Sequence, residues 1–403
     1  MAPNIDPAAA TEEIPNHVSV GRINAGLTIG LDLRSAVSLK SNLNIAFTGM
    51  YPLGQGFVLL PDELAEFSSL SESESAFLKR FFIARDLGQH SRNAQIIDFT
   101  GVPMAKAEAA APRLFQHVMT HVKPAHDQDS VAGHRRDWWL FARTRPELRA
   151  AIAGLRRFIM VPRTSRHFVF QFHDCSSIPD SSVVALATDD AFHLGVLSSR
   201  VHICWAVNVG GRLGVGNDTR YQHLATFDPF PFPCVDEQRL GTIRKITEKL
   251  DEFRKRQQEL HPDLTTTSVY NVLKKLRIQE TLTPKDKVIH HNGLVTLLQQ
   301  IHDELDAAVF DAYGWPNDLT DEEILERLVA LNHERAEEEK RGLIRWLRPE
   351  FQNPSGGTSA VQTELELEGD SDDEDDAEEQ PTKGKGKKKK PAAAKTKAPA
   401  KAA

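Results

Sequence analysis

The stretch from Gly210 to Tyr221 reads GGRLGVGNDTRY and combines four glycines with two arginines. A glycine-rich turn of this kind can serve two different chemistries. In one, the backbone N–H groups cradle a cofactor. In the other, the small residues let the backbone approach a DNA duplex while the arginines reach phosphates or base edges. The surrounding sequence has to decide between the two.

A turn that binds S-adenosylmethionine would follow a strand, and an acidic residue for the ribose would come later in the chain. The residues from Val201 to Val209 predict a strand before the glycines. However, NDTRY and then DPFPFP follow them, and neither predicts a helix whose N-terminus could receive a ligand. The pattern therefore favours a DNA-facing loop over a cofactor cradle.

The segment Asp228-Pro229-Phe230-Pro231 is similar to the Asp/Asn-Pro-Pro-Tyr/Phe loop of amino-methyltransferases that act on flipped bases. Here phenylalanine stands in place of the second proline, which would change the geometry of the loop. We therefore predict a structural role for the segment, as a proline-locked exit from a strand. Nowhere else does the sequence contain Asn/Asp-Pro-Pro, so we find no complete amino-methyltransferase loop.

Metal sites and nucleophiles are weakly indicated. His117 and His121 are four residues apart on a predicted helix, but the intervening residues lack the glutamate of a zinc-protease helix. The three cysteines are widely spaced and form neither a disulfide framework nor a zinc motif, which fits a reducing cytoplasm. No run of eighteen apolar residues predicts a membrane span.

A second polar segment, VPRTSRHFVFQF, predicts an extended strand. Alternation places Arg163, Ser165 and His167 on one side, with Thr164 and Arg166 on the other. The phenylalanines that follow would fill the core. Such a row of polar side chains could face a DNA groove, and arginine and asparagine are the residues that pair with guanine and adenine edges.

The charges are distributed unevenly along the chain. The net charge is -7, yet residues 110–230 hold fourteen Lys and Arg against ten Asp and Glu. Acidic residues are concentrated from Glu364 to Glu379, which holds eleven of them, and nine lysines follow from Lys383 to Lys401. This tail cannot bury enough apolar surface to fold, so we expect it to be disordered. It either solubilises the protein or supplies a lysine arm that touches DNA phosphates.

The elements that must position these residues change along the chain. Short strands broken by turns are predicted from about Leu27 to Leu60 and from about Arg157 to Phe232, and a helical period begins at Gln238. One apolar stripe comprises Ile243, Ile246, Leu250 and Phe253, and another comprises Leu294, Leu297, Leu298, Ile301, Leu305 and Val309. A further helix is predicted after Thr320, which forms a capping box with Glu323. We place a domain boundary near Pro233.

An ordered series of segments resembles the C-terminal half of the MmeI-like adenine-specific DNA methyltransferases of restriction–modification and DISARM-type phage-defence systems. The segments are LNIAFTGMYPLGQGFVL, IIDFTGV, VKPAHD, RRDWWLFARTRPELR, RRFIMVPRTSRHFVFQF, LGVLSSRVHICWAV, GGRLGVGNDTRY, FDPFPFP, LTTTSVYNVLKKLR, HDELDAAVFDAYGWP and LVALNHERAEEEKRGLIRWLRPEFQNP. The series covers roughly Leu27 to Pro354. In that family a catalytic domain with the cofactor site and an Asn-Pro-Pro-Tyr loop precedes a target recognition domain and a helical C-terminal domain.

The resemblance implies an α+β chain in which a β-rich target recognition domain is followed by an α-helical domain and the disordered acidic and basic tail. Residues 1–60 would be the end of a methyltransferase domain with a linker, 61–235 the recognition domain, 236–350 the helical domain and 351–403 the tail. Because the cofactor and catalytic motifs are missing, we expect this chain alone not to be catalytic. S-adenosylmethionine would bind a missing domain or a separate methyltransferase subunit.

We therefore expect the chain to recognise double-stranded DNA for an adenine-N6 methyltransferase, without contact with membranes. The predicted DNA-binding residues are Lys123, Arg135, Arg136, Arg143, Arg163, Thr164, Ser165, Arg166, His167, Arg212, Asn217, Asp218 and Arg220. No catalytic, cofactor-binding or metal-binding residue is predicted. Two alternatives remain open: a complete but divergent methyltransferase that binds its cofactor through GGRLGVG, and a protein-interaction subunit that uses the helical region.

Overall fold

The computed structural model describes residues 31–213 and 218–356, with only the backbone of residues 212 and 213. Three predictions fall wholly or partly outside this range: the start of the methyltransferase remnant, Asn217, and the acidic and lysine-rich tail. Within it, strands and helices form an α+β structure, as predicted. No described helix is long and apolar enough to cross a membrane.

Eleven strands form three sheets in the described residues. They are β1 Ala46–Thr48, β2 Val58–Leu59, β3 Leu78–Phe82, β4 Gln95–Ile97, β5 Arg157–Pro162, β6 Thr164–Ser165, β7 Gln171–Asp174, β8 Ile178–Pro179, β9 Val183–Leu186, β10 Arg212–Leu213 and β11 Asp218–Arg220. The central sheet has the antiparallel order β1-β9-β5-β7. A second sheet has the order β2-β4-β3-β8, in which only the β3–β8 pair is parallel, and a small third sheet has the order β10-β11-β6.

The described residues also form seventeen α-helices. They are α1 Pro61–Ala65, α2 Glu72–Ser75, α3 Ala84–Gly88, α4 Met104–Ala110, α5 Pro112–His121, α6 Lys123–His126, α7 Ala132–Arg136, α8 Pro146–Ile152, α9 Ala191–Ser198, α10 Arg200–Val209, α11 His223–Thr226, α12 Glu237–Leu260, α13 Thr266–Arg277, α14 Pro284–Asn292, α15 Val295–Tyr313, α16 Asp321–Lys340 and α17 Pro349–Gln352. Short 3-10 turns lie at Leu33–Ser35, Lys40–Asn42 and Gln55–Phe57.

The central sheet is buried on both faces and separates two apolar cores. Along β5, Ile159 and Val161 point into one core, while Phe158 and Met160 point into the other. This is the period-two alternation of a strand, but residues 158–161 are all apolar because neither face meets water there. The first core contains α9, α10 and α12 to α16, and the second contains the β2-β4-β3-β8 sheet with α4, α5 and α8.

The helical stripes are largely confirmed. Ile243 and Leu250 of α12 are fully buried, and Ile246 and Phe253 pack against the same core. In the stripe of α15 the first two residues, Leu294 and Leu297, are instead exposed, whereas the other four are buried. Thr320 caps α16 and forms the predicted capping box with Glu323.

Three local predictions were wrong. The residues from Val201 to Val209, predicted as a strand, lie in the helix α10. The prediction failed because this helix is buried around most of its circumference and therefore shows no amphipathic period in the sequence. The long strand predicted around Arg166 is interrupted, since the Ser165 hydroxyl hydrogen-bonds both the N–H and the carbonyl of His167. Asp228 follows the short helix α11 rather than a strand.

The first core draws residues from both sides of the predicted boundary near Pro233. Phe170 and Trp205 share it with Leu250, Ile301 and Leu328. The described residues are accordingly part of one compact unit. The proposed domain bounds remain predictions about organisation along the sequence.

Candidate nucleic-acid interface

The two polar segments singled out from the sequence are neighbouring strands of the third sheet. Strand β11 pairs with β10 on one side, and with β6 on the other. The register places Arg220 opposite Thr164, and Thr219 opposite Ser165. The glycine-rich stretch is thus a hairpin added to the segment that carries Arg163 to His167, although the two are about fifty residues apart in the sequence.

One face of this sheet looks outward. Directly opposed residues of antiparallel strands share a face, so Thr164 and Arg220 lie side by side, and Asp218 is on the same face as Arg220. Thr164 is exposed, and Asp218 and Arg220 are partly exposed, whereas Thr219 on the opposite face is buried. We call the residues Thr164, Asp218 and Arg220 the outer face.

The hairpin is fixed at its base by contacts with α10 and β6. The N–H of Tyr221 donates to the Arg163 carbonyl at 2.7 Å, and the buried Tyr221 hydroxyl lies 3.0 Å from Nε2 of His202. The Thr219 hydroxyl donates to the Ser165 carbonyl at 3.1 Å. The β11 end of the hairpin is therefore held by the protein interior, which sets the direction in which the outer face points.

Gly210 allows this close approach. A Cβ atom at this position would lie 2.2 Å from the Arg220 carbonyl oxygen and 2.6 Å from that of Ala206. The neighbouring Gly211 has open space around it. The first glycine of the motif therefore serves the packing of the hairpin on its own helix, which a larger residue would prevent.

Helix α13 contacts His167, two residues after β6, and contributes residues that the sequence analysis missed. Nε2 of His167 lies 2.9 Å from Oδ1 of Asn271, and Lys274 follows one turn later on the same helix. Arg166 and Lys274 are exposed, and neither forms an ion pair with another described residue. The segment LTTTSVYNVLKKLR was noted only as part of the family resemblance, because nothing in it indicates proximity to His167.

The charges beside His167 affect its protonation. Burial lowers the pKa of His167, the hydrogen bond that its Nε2 donates to Asn271 opposes that shift, and the nearby positive charges of Lys274 and Arg166 add to the lowering. Arg85 is exposed on α3, a helix that contacts both β6 and α13. The outer face is therefore bordered by exposed cations, and the imidazole beside it is neutral at pH 7.

Four predicted residues lie elsewhere. Lys123 pairs with Asp127 at 2.6 Å and Arg136 with Asp137 at 2.6 Å, while the Arg135 guanidinium donates to the carbonyl of Ser130 at 3.0 Å. The same Arg135 group also donates to the Asp129 carbonyl.

Lys123 belongs to α6, and Arg135 and Arg136 belong to α7. Helix α6 packs on both α5 and α7. Arg143 is partly exposed, and its backbone forms an antiparallel bridge with Tyr51. The structure therefore brings together the predicted residues of 163–167 and 218–220 with the backbone of Arg212, but not these four.

The DPFP segment is a structural element of the interior. The side-chain amide of Asn42 donates to the carbonyls of Phe227, Asp228 and Phe230, at distances from 2.7 to 3.1 Å. The Asp228 carboxyl has no hydrogen-bond partner among the described residues, and burial raises its pKa to about 7. Asp228 itself is buried, so the segment serves the packing of the interior.

No group of three potential metal ligands occurs in the residues that the structure describes. His117 and His121 lie on α5 with their rings 4.4 Å apart. Burial and the neighbouring His121 lower the pKa of His117. The pair has the spacing of two ligands on one helix face and lacks a third.

Residues 34–234 match the family described as MmeI, target recognition domain. They form an MmeI-type target recognition domain. This domain holds all eleven described strands and the complete outer face. No curated protein sequence matches the chain.

The chain is also similar to the solved structure of the Type IIL restriction-modification enzyme MmeI in complex with DNA. The identity is 18% and the TM-score 0.60, and the match covers 78% of this chain and 39% of that one. At this identity the likeness shows a shared fold, and that fold continues beyond the target recognition domain into the helical region. The chain spans less than half the length of the enzyme it matches.

Proposed function

We propose that this chain recognises a DNA sequence through the outer face of the β10-β11-β6 sheet. The observation that supports the proposal is the pairing of β6 with β11, which joins two separately predicted polar segments into one surface. That surface lies within a target recognition domain. The side chains of the outer face project from two neighbouring strands, β6 and β11, and a major groove admits a two-stranded ribbon.

The residue types suggest a division of roles. The Arg220 guanidinium can donate two parallel hydrogen bonds to a guanine edge, and the hydroxyl of Thr164 and the carboxylate of Asp218 suit other base edges. The exposed cations Arg166 and Lys274 suit phosphates, which fix position without reading sequence. Lys123, Arg135, Arg136 and Arg143 would contact backbone further along the duplex, after exchanging intramolecular partners for phosphate.

We further propose that the chain serves an adenine-N6 DNA methyltransferase of a restriction–modification or phage-defence system. The methylation chemistry and S-adenosylmethionine would reside in a separate catalytic subunit or domain, in the cytoplasm. The described residues of the glycine-rich stretch do not fit the cofactor, because Gly210 packs against the carbonyl of Arg220 and the stretch leads into strand β11 instead of a helix. No step of the reaction is assigned to this chain.

The test is a selection experiment with the full chain. A random duplex pool is incubated with the protein near physiological salt, and the retained DNA is sequenced. We expect a short motif to be enriched, and Arg220→Ala to relax preference at one or two of its positions. A pool that stays random would contradict the DNA-reading proposal.

A transfer assay with tritium-labelled S-adenosylmethionine and the same duplexes tests the division of labour. Under our proposal the isolated chain transfers no methyl group to DNA. Transfer by the chain alone would instead support the alternative of a complete, divergent methyltransferase.

A further inference from the structure

The contact between His167 and Asn271 fixes more than the position of a ring. Because Oδ1 of Asn271 lies 2.9 Å from Nε2 of His167 and can only accept, Nε2 carries the proton of the neutral imidazole. The other ring nitrogen, Nδ1, is then an acceptor. Asn271 comes from α13, about one hundred residues further along the chain, so the tautomer of a residue in the recognition segment is set by the helical region.

The acceptor Nδ1 is open to an external donor. It has no hydrogen-bond partner among the described residues, and it is not one of their fully buried, unsatisfied polar atoms. The backbone of His167 is held by the Ser165 hydroxyl, which donates to its carbonyl at 2.9 Å. The Tyr270 ring lies 6.1 Å from the imidazole, centroid to centroid. The ring is therefore held in place, with Nε2 hydrogen-bonded to Asn271 and Nδ1 without a partner among the described residues.

We propose that Asn271 is a positioning residue, which holds His167 in the tautomer whose Nδ1 accepts a hydrogen bond from the exocyclic amino group of a DNA base. In the major groove this group is N6 of adenine or N4 of cytosine. Guanine and thymine present acceptors at the corresponding positions and would be disfavoured, since two acceptors would face each other. The inference rests on the proposed DNA-reading function and adds the chemical class of base at one position.

The surroundings of His167 keep the imidazole neutral. Lys274 on α13 and Arg166 on the same segment are positive, and Tyr270 is an uncharged neighbour on α13. On α3, which also contacts β6, Arg85 is exposed and Asp86 is paired with Arg92 at 2.8 Å. A carboxylate free to pair with the imidazole is therefore absent from the described elements packed around it, and only the hydrogen bond to Asn271 opposes the lowering of the His167 pKa.

Two substitutions of Asn271 test the proposal in the full chain, with the random duplex pool as the probe. Asn271→Asp places a carboxylate beside Nε2, which favours the imidazolium and turns Nδ1 into a donor. We expect the enriched base at one position to change from adenine or cytosine to guanine or thymine. Asn271→Leu removes the restraint on the tautomer, and preference at that position should fall by about three- to tenfold, the effect of one hydrogen bond.

The controls separate this inference from the proposed function. Both variants should keep the wild-type salt dependence, and combining His167→Phe with Asn271→Leu should give the motif of His167→Phe alone. If both variants enrich the same motif as the wild-type chain, the proposed role of Asn271 is refuted, while the DNA-reading function is unaffected. No motif from the wild-type chain would instead defeat the proposed function.

A measurement without DNA provides a second test that does not depend on how well the variants bind. Nitrogen-15 NMR of the imidazole distinguishes the two neutral tautomers. We expect Nε2 of His167 to be protonated and Nδ1 to be unprotonated in the wild-type chain at neutral pH. A signal from the opposite tautomer would overturn the proposal.

Discussion

Replacing Gly210 by alanine should displace the outer face, because Gly210 packs against the backbone of β11. The added Cβ would lie 2.2 Å from the Arg220 carbonyl oxygen and 2.6 Å from the Ala206 carbonyl oxygen. Both contacts are with backbone, so no side chain can rotate away. To restore van der Waals contact, β11 has to move away from α10 by about 1 Å.

The neighbouring glycine is a matched control. At Gly211 a Cβ would have no atom within 4 Å, and neither glycine has a positive φ. Both alanines reduce the entropy of the unfolded chain equally, so that effect cancels in the comparison. The remaining difference is the cost of overpacking, about 1–3 kcal/mol in the free energy of unfolding. For a unit of this size, it lowers the melting temperature by roughly 1–4 °C.

The assay combines thermal unfolding with the duplex selection. We expect Gly210→Ala to melt below Gly211→Ala and to weaken the motif, since Arg220 and Asp218 are carried on the displaced strand, while Gly211→Ala keeps the wild-type motif. Equal melting temperatures and equal motifs for the two variants would refute the packing argument. A lower melting temperature with an unchanged motif would place base reading outside β11.

Two further predictions concern phosphate contacts and pH. Arg166→Ala and Lys274→Ala should each weaken binding equally on all sequences and reduce the slope of log affinity against log salt by about 1. As a control, Lys340→Ala removes an exposed lysine paired with Glu337 and should change neither the affinity nor its salt dependence. A loss of affinity confined to particular sequences would instead assign Arg166 or Lys274 to base reading. Burial raises the folded-state pKa of Asp228 to about 7, so the stability contributed by its neutral carboxyl is fully present below about pH 4 and is lost as pH rises through about 7. Asp228→Asn should therefore raise the free energy of unfolding by about 2–4 kcal/mol near pH 8 and change it little near pH 4, as measured by urea unfolding. An increase of the same size at both pH values would show that the charge of Asp228 is not the cause.

Local signals in the sequence were sufficient to predict the amphipathic helices. The stripe of α12 has one wet face and one buried face, so its period is visible, and the cap of α16 depends only on Thr320 and Glu323. The same reasoning fails for α10, whose surroundings bury most of its surface and remove the contrast between faces. Helices hidden inside a protein cannot be identified from polarity alone.

The recognition surface could be predicted only in part for a different reason. The residues of 163–167 and 218–220 were identified by type, since arginines near glycines and short polar rows are unusual. Their pairing across β6 and β11 depends on contacts between distant segments, and so does the hydrogen bond that His167 donates to Asn271. Neither the spacing nor the composition of the sequence contains that information.

The apolar core that continues across residue 235 bears on how new specificities can arise by recombination. A crossover between two homologues at that point would pair the Phe170 and Trp205 of one parent with the Leu250 and Ile301 of the other, so the chimera would inherit a mismatched interior. Exchange of residues 211–220 alone avoids this cost, because Gly210 and Tyr221, which pack against α10 and β6, stay in place. Inheritance of a recognition sequence should therefore follow the hairpin and the strand beside it as a cassette, and the helices should be inherited with their own sheet.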